Sequence, residues 1–510
     1  MTINRCGACV LVIAASVGCG KRGSSLPPPT AAAAARFLET ASFGPTPAEV
    51  AKLQSIGYEA WLDNQFNTAP SAYDDPAPTD MDLSVLQQRF FVNALTGDDQ
   101  LRQRTALALG QIFVVSGNKL DDPRAFAPWL RLLSADAFGT YAKLLRDVTL
   151  SPAMGVYLDM VNNDKPDPVL HTTPNENYAR EVLQLFSIGL SRLNPDGTPM
   201  LDATGAEIAT YGQPVIEGFA HVFTGWTFAP PPGVASTFPN DTRYDVPMQA
   251  DEAHHDSGEK LLLRGERLAA GRSSAVDLFD AIDNIVRDPN LGPFVSFRLI
   301  QRLVKSNPTP AYVGRVAGAF AGDGKGARGD LKAVLRAILL DPEALGEPTA
   351  SGGKLREPVL LVAGLLRALG AHSDGAGLAD YAAAMRQRLF YPTSVFNYYP
   401  PTYRIPGSTL LGPEYKLRTG PALLAKAGFV NDLVSGGIPG TKVDYGPLVK
   451  LAADPAALAA ALDALLLRGR MSAAARTALV TGLASVPDPD TRARSGVFLV
   501  ATSSQYEVQP

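Results

Sequence analysis

A dipeptide that favours the start of an α-helix recurs along the chain: a residue whose side chain can cap a helix, followed directly by proline. Six occurrences lie at expected helix starts: Thr46-Pro47, Ser151-Pro152, Thr173-Pro174, Thr309-Pro310, Asp341-Pro342 and Asp454-Pro455. The capping oxygen accepts a free backbone N–H group, and proline suits the first helical position because its missing N–H would be unpaired there. Glu49 and Glu176 stand three residues after their threonines and would complete capping boxes. The pattern predicts many short, separately capped helices.

The segments between these starts have helical patterns. After Thr46, the apolar residues Val50, Leu53 and Ile56 fall on one face, and Gly57 is placed to end the helix. Further segments that are helical in period or propensity are 101–115, 297–305, 331–340, 356–368 and 456–467. Strand patterns are scarce. The best candidates flank Gly258 and would form a small β-hairpin at most. We therefore expect a mainly α protein, built as a large, irregular multi-helix domain.

The composition narrows the possible partners and sites. The chain has 510 residues and a formal net charge of -4, so it has no positive surplus to neutralise a phosphate backbone, and we do not expect it to bind nucleic acid. All three cysteines, Cys6, Cys9 and Cys19, lie before residue 20. The rest of the chain therefore has no disulfide, thiolate metal site or cysteine nucleophile.

The first residues have the features of an export signal. Arg5 supplies positive charge, residues 10–15 are apolar, and small residues follow, so we expect residues 1–18 to be a signal peptide. Val17-Gly18-Cys19 resembles the motif at which bacterial lipoproteins are cleaved and acylated on cysteine, although Ser16 stands where that motif usually has leucine. We expect lipidation of Cys19, with residues 19–30 as a flexible tether. Ordinary cleavage that releases a free secreted protein is the alternative.

Several phrases of the sequence occur in the order typical of one bacterial family, the domain of unknown function 1800 proteins. They include Ser42-Phe43-Gly44-Pro45-Thr46, Asn175-Glu176-Asn177-Tyr178-Ala179-Arg180-Glu181, Phe223-Thr224-Gly225-Trp226, His255-Asp256-Ser257-Gly258-Glu259-Lys260 and Ser394-Val395-Phe396-Asn397. The resemblance covers nearly all of 31–508 and implies one continuous helical domain. It also implies export and frequent genomic pairing with another exported family, the domain of unknown function 1501 proteins. It implies no reaction. Because no aspartate follows Cys19, we expect the destination in the cell envelope to be the outer membrane or periplasm.

The segment around Glu176 carries the first candidate site residues. On one helix, Glu176, Arg180 and Glu181 would lie opposite an apolar face formed by Tyr178, Val182 and their neighbours. In the functional interpretation, these three residues line a cleft as acid, base or ligand groups. In the structural interpretation, which we favour, Glu176 closes a capping box and forms an i,i+4 ion pair with Arg180.

The histidines give a second group of candidates. The chain has five: His171, His221, His254, His255 and His372. His255 and Asp256 lie at the end of a polar, Pro-rich stretch, 229–259, that we expect to be a surface loop. With Glu181 or His221 they could build a His and carboxylate metal site, but no fixed ligand spacing supports one, so we predict neither a metal ion nor a cofactor.

Two other segments have an architectural interpretation. Arg298, Arg302, Arg356 and Glu357 are expected to form buried ion pairs that fix helix packing. The aromatic segment 396–403 could line a groove for sugar or peptide, or pack across the helices as a cover, which we favour.

Two functions remain open. The first is an exported, lipid-anchored protein with a binding or assembly role beside an exported partner. The alternative is a metal-dependent or acid/base hydrolase whose site joins Glu176, Arg180, Glu181, His255 and Asp256. Convergence of these groups in a deep cleft would favour the enzyme, whereas pairing within packing contacts would favour the binding protein.

Overall fold

The computed structural model of the protein describes residues 26–322, 327–349 and 352–509. The predicted signal peptide, Cys19 and the first part of the tether lie outside the described residues. The described part is mainly α-helical, with a few short antiparallel strand pairs, as the sequence predicts.

The helices follow one another through short connections in most of the chain. The helices up to the long loop are α1 (Ala31–Ala41), α2 (Pro47–Asn67), α3 (Ser84–Thr96), α4 (Gln100–Gly110), α5 (Pro123–Asp136), α6 (Tyr141–Leu150), α7 (Pro152–Tyr157), α8 (Asn177–Gln184) and α9 (Gln213–Val222). Those of the middle part are α10 (Ser274–Val286), α11 (Leu291–Leu303), α12 (Pro310–Ala321), α13 (Leu331–Leu339), α14 (Pro342–Leu345), α15 (Pro358–Ala368) and α16 (Leu378–Ala384). Those of the last part are α17 (Gly420–Ser435), α18 (Gly446–Leu451), α19 (Pro455–Leu462), α20 (Ala473–Ala484) and α21 (Pro489–Thr502).

The strands are two residues long and pair antiparallel. The pairs are β1 (Trp226–Thr227) with β2 (Gln249–Ala250), β3 (Lys260–Leu261) with β4 (Arg267–Leu268), β5 (Lys354–Leu355) with β8 (Val508–Gln509), and β6 (His372–Ser373) with β7 (Thr441–Lys442). The hairpin expected around Gly258 has its first strand at Lys260, but that strand pairs with residues downstream of it rather than across Gly258. The β5–β8 pair brings the end of the chain back to the residues before α15.

Five of the six predicted helix starts are confirmed. Thr46, Thr309, Asp341 and Asp454 each accept a backbone N–H in the first turn, whereas Ser151 precedes α7 without a side-chain bond. The start at Thr173 is wrong, and with it the capping box of Glu176. The backbone N–H of Asn177 donates instead to Oδ1 of Asn175, at 2.8 Å, so α8 begins three residues later.

Other predicted bounds need correction as well. The helix expected over 101–115 ends at Gly110, and the following residues are irregular and buried. The helix expected over 456–467 ends at Leu462 and continues as one π-helical turn, Asp463–Leu467. Gly57, predicted to end its helix, has a φ of 78° and makes a kink after which the helix resumes.

A continuous hydrophobic core contains residues from α1 through α21 and ends at Tyr506. Aromatic rings fill much of it. The rings of Phe37 and Trp61 meet edge to face with centroids 5.3 Å apart, and Phe113 contacts Phe186 at 5.1 Å. Rings in such offset or edge contacts add to the stabilisation that burial provides.

Glu357 is a buried carboxylate at the centre of this core, directly before α15, and its side chain and backbone are inaccessible to solvent. Its Oε2 accepts hydrogen bonds from the Gln111 amide at 2.6 Å and from the Tyr399 hydroxyl at 2.9 Å. The amide of Gln387 donates to the same oxygen. Glu357 therefore joins the irregular segment after α4 to the aromatic segment, in which Tyr399 is buried and Phe396 is exposed.

Three buried cations surround Glu357. Burial alone would raise the pKa of this carboxyl, but Lys354, Arg104 and Arg302 hold the pKa below its ordinary value. The Nζ of Lys354 lies 3.0 Å from Oε1 of Glu414, which is also buried. A buried charge without partners is costly, so these five side chains hold their segments in one arrangement.

Of the other arginines expected to form buried ion pairs, Arg356 does so and Arg298 does not. Arg356 pairs with Glu39 of α1, and both are buried. Arg298 instead lies over the ring of Phe294, 4.9 Å from its centroid. This cation–π contact, rather than a carboxylate, stabilises the charge of Arg298.

We expect Glu357→Ala to lower the free energy of unfolding by about 3–5 kcal/mol, because it removes one of the two carboxylates that offset the buried cations and leaves the donors of Gln111, Gln387 and Tyr399 without their acceptor. Glu259→Ala is the matched control, since Glu259 pairs with Arg267 while more than half of each side chain is exposed. This control should cost no more than about 1 kcal/mol. Urea unfolding measures both, and equal losses in the two variants would contradict the role of Glu357.

Candidate functional site

The predicted site residues lie around α8, α9 and the loops beside them. Two asparagines join these loops: the Asn175 N–H donates to Oδ1 of Asn163 at 2.7 Å, and the Asn163 amide donates to the Asn175 carbonyl oxygen. The Gly225 N–H donates to the Asn163 carbonyl oxygen at 2.8 Å, which brings the turn after α9 to the same place. Both predicted segments, around Glu176 and around His255, are therefore tied to the loop that follows α7.

That loop has a strained backbone. Asp159, Asn162 and His171 adopt left-handed conformations, with φ of 58°, 60° and 56°. Asp and Asn tolerate this region better than most residues, and tertiary contacts hold it here: Oδ1 of Asn162 accepts from the Thr227 hydroxyl at 2.6 Å. Conformations of this kind occur often at functional sites, and they make the loop a candidate for recognition.

Glu176 and Arg180 form the i,i+4 ion pair that the sequence predicts. Gln213 of α9 completes a three-residue network, because its amide donates to Oε1 of Glu176 and its carbonyl oxygen accepts from Arg180, each at 2.9 Å. Nearly half of the Arg180 side chain is exposed. We call these three residues, with the neighbouring exposed Glu217, the α8–α9 face.

Glu181 lies next to Arg180 on α8 but is not part of the α8–α9 face, because its carboxyl group is partly enclosed. It is half-buried, and its Oε2 is enclosed with no hydrogen-bond partner within the described part of the chain. Burial, opposed by the charge of Arg180, raises the pKa of Glu181 to about 7. Burial, together with the nearby Glu181, also raises the pKa of Tyr157 and of Tyr211 to about 12. A carboxyl group that titrates near neutral pH can act as a general acid or base.

His255 has a structural position. It is buried, with Nδ1 3.1 Å from the Thr224 carbonyl oxygen and Nε2 3.2 Å from Oδ2 of Asp277. Asp277 also contacts Lys260 and Arg272, each at 2.7 Å. Burial would raise the pKa of Asp277, but hydrogen bonds from these three cationic or polar partners lower it to about 2. Asp277 could not be identified from the sequence, because nothing in its spacing from His255 indicates a contact.

Asp256 pairs with a different histidine. It contacts Nδ1 of His221 on α9, and both side chains are partly exposed. Burial alone would raise the pKa of Asp256. The hydrogen bond from the Gly258 N–H and the interactions with His221 and Lys260 have a larger combined effect, so the pKa of Asp256 is lowered. His254 points elsewhere: it stacks on Phe238 and lies 2.9 Å from Asp164. The adjacent histidines thus have separate partners.

The structure therefore brings Glu176, Arg180 and Glu181 together on α8, whereas His255 and Asp256 are each held by partners of their own. Among the described residues, no group of three or more His, Cys, Asp or Glu side chains is arranged to hold a metal ion. No helix in the same part of the chain is long and apolar enough to cross a membrane.

Comparisons with known proteins give one match. The family model described as Protein of unknown function (DUF1800) matches residues 36–508. No curated protein matches the chain, and no solved structure does.

We expect Glu181→Gln to change how the free energy of unfolding depends on pH. The pKa of Glu181 rises from an ordinary 4.5 to about 7 on folding, so the folded protein holds this proton more tightly than the unfolded chain. Its contribution to stability is fully present below pH 4.5 and is lost as the pH rises to about 7. Urea unfolding at a series of pH values should show the wild type losing stability relative to Glu181→Gln in this window and not above it.

Glu217→Gln is the control for this titration, because Glu217 is exposed on the neighbouring helix. The free energy of unfolding of Glu217→Gln should depend on pH in the same way as that of the wild type. A Glu181→Gln profile that is also parallel to the wild type would show that Glu181 titrates normally.

Proposed function

The chain belongs to the family described as protein of unknown function DUF1800, and we propose that it is an exported, lipid-anchored protein of the cell envelope that binds an exported partner. Its first residues have the pattern of an export signal that ends at Cys19. A lipid on Cys19, followed by a short tether, would hold the helical body at a membrane surface.

The pairing of the candidate residues is the observation that carries the binding role. Glu176, Arg180 and Gln213 hold one another in a fixed arrangement at the surface. His255 is buried against Asp277, and Asp256 is paired with His221. A pre-ordered polar surface loses little side-chain freedom on association, which favours recognition of another protein.

The partner that we propose is an exported protein of the domain of unknown function 1501 family, in line with the genomic pairing that the family resemblance implies. The α8–α9 face is the proposed contact, because it combines both signs of charge with the strained loop at Asp159 and Asn162. Charges arranged in this way select a partner with complementary charges and exclude others.

Arg180→Glu tests the contact. The variant places like charges beside Glu176 and should weaken binding of the co-expressed partner by at least about tenfold. Arg287→Glu is the matched control, because Arg287, directly after α10, is similarly exposed and also pairs with an acid one helical turn away. Co-purification of the full chain with its partner measures both. Loss of binding in both variants, or no binding by the wild type, would contradict the proposal.

Cys19→Ser tests the anchor. The wild type should take up radiolabelled fatty acid and sediment with membranes, because the acylated cysteine is the only attachment that we propose. The Cys19→Ser variant should lose the label and leave the membrane fraction, while Cys9→Ser should behave as the wild type. A wild-type protein that carries no label and is released as a soluble product would support ordinary cleavage instead.

Acid/base hydrolysis is a second candidate function, favoured by Glu181 alone. Its pKa of about 7 and its unpartnered, enclosed oxygen would suit a group that takes up or releases a proton. Tyr157 and Tyr211 beside it supply hydroxyl groups that remain protonated at neutral pH. The pH dependence of stability described above tests whether Glu181 has this raised pKa. A Glu181 that titrates normally would remove the support for hydrolysis.

A further inference from the structure

A cavity of about 520 Å³ lies where the end of the chain meets the residues before α15. Three segments enclose it: the β5–β8 pair, the residues around Tyr415 that precede α17, and the turn that follows the π-helical residues 463–467. It is remote in sequence from α8 and α9. Its volume falls within the range of sites for small molecules.

Arginines dominate the polar lining of this cavity. Arg356, Arg418, Arg468 and Arg470 all line it, against a single lining carboxylate, Glu507. That carboxylate is already shared, because Arg418 and Lys426 both contact it. The second carboxylate nearby, Glu39, pairs with Arg356 from the inner side and lies 3.5 Å from Arg468. Cations are therefore in excess around the cavity.

Arg468 is the most deeply buried of these arginines. It is 3% exposed, its Nη1 donates to the Leu465 carbonyl oxygen, and its Nη2 lies 3.5 Å from Oε1 of Glu39. Its backbone is left-handed, with a φ of 62°. Burial and the neighbouring Arg356 lower the pKa of Arg468, although Glu39 opposes them. The positive charge of Arg468 therefore lies in the cavity wall, where it favours an anion in the cavity.

The turn that carries Arg468 is held from within the protein. Asp463 accepts the Met471 N–H at 2.8 Å through its side chain, and its carbonyl oxygen accepts the Gly469 N–H at 3.1 Å. A π-helical turn precedes Arg468, and such turns occur frequently at functional sites. Arg468 and Arg470 are thus presented to the cavity by a fixed turn rather than by a free loop.

Part of the remaining wall is apolar. Leu355, Leu466, Leu467 and Val508 line the cavity beside the arginines, and Tyr415, Ser504 and Gln505 complete its lining. An inorganic oxyanion would satisfy the guanidinium groups but would leave these walls in contact with water. The volume and the walls fit a larger molecule with an apolar part.

From this geometry we infer that the cavity binds a small organic anion, with a phosphate or carboxylate group held by Arg470 and Arg418 beside the buried charge of Arg468, and an apolar body against the leucines. The forked guanidinium groups match the geometry of these oxyanions. This site is separate from the α8–α9 face and does not depend on the function proposed for that face.

Calorimetric titration of the purified full chain with phenyl phosphate, inorganic phosphate, benzoate and benzyl alcohol tests the inference. The two organic anions should bind, and phenyl phosphate should bind at least about tenfold more tightly than inorganic phosphate, because only the former contacts the leucines. Benzyl alcohol, which lacks the charge, should not bind. The relative affinity of phenyl phosphate and benzoate identifies the preferred head group.

Arg470→Gln is the informative variant, because Arg470 is exposed and its loss should leave the fold intact, whereas Arg468 is buried. It should weaken phenyl phosphate binding by about tenfold. Arg287→Gln removes the same charge from a distant surface and should leave binding unchanged. Absence of heat with both organic anions, equal affinity for phenyl phosphate and inorganic phosphate, or equal weakening by the two variants would overturn the inference.

Discussion

The buried carboxylate of Glu357 is the constraint on which the rest of the structure depends. A carboxylate at this depth is costly unless hydrogen bonds and opposite charges offset its burial, and the groups that offset it here come from α4, α11, β5 and the aromatic segment. Those segments must therefore pack in one arrangement for the core to form. This requirement explains why irregular chain, including Gln111 and Tyr399, is buried where a helical protein would ordinarily place regular helix.

A second buried pair extends this network towards the end of the chain. Arg356, next to Glu357, contacts Glu39 of α1 and lies over the ring of Tyr506, 4.3 Å from its centroid. The first helix and the last residues are thereby fixed to the same centre. The arginine-lined cavity forms at this junction, so its shape follows from the packing that the buried charges impose. The α8–α9 face lies on helices whose apolar residues pack against the same core.

Local features of the fold could be predicted from the sequence, because they depend on neighbours in the chain. Thr309 and Asp454 cap their helices, and Glu176 pairs with Arg180, since both relations are set by helical geometry. The start at Thr173 failed because the side chain of Asn175 supplied a competing acceptor. Contacts between distant residues could not be predicted in this way. His255 meets Asp277, and Glu357 meets Gln111, only through tertiary packing, so the sequence could suggest His255 as a site residue but could not show that it is buried.

We propose that the network around Glu357 makes the described residues between 31 and 508 one cooperative unit. Native-state hydrogen exchange at increasing denaturant, followed by mass spectrometry, tests this cooperativity most directly. We expect the protected amides of α4 and α15 to open with the same free energy and the same dependence on denaturant, because neither can separate from Glu357 alone. Opening of α15 at a distinctly lower free energy, while α4 stays protected, would contradict it.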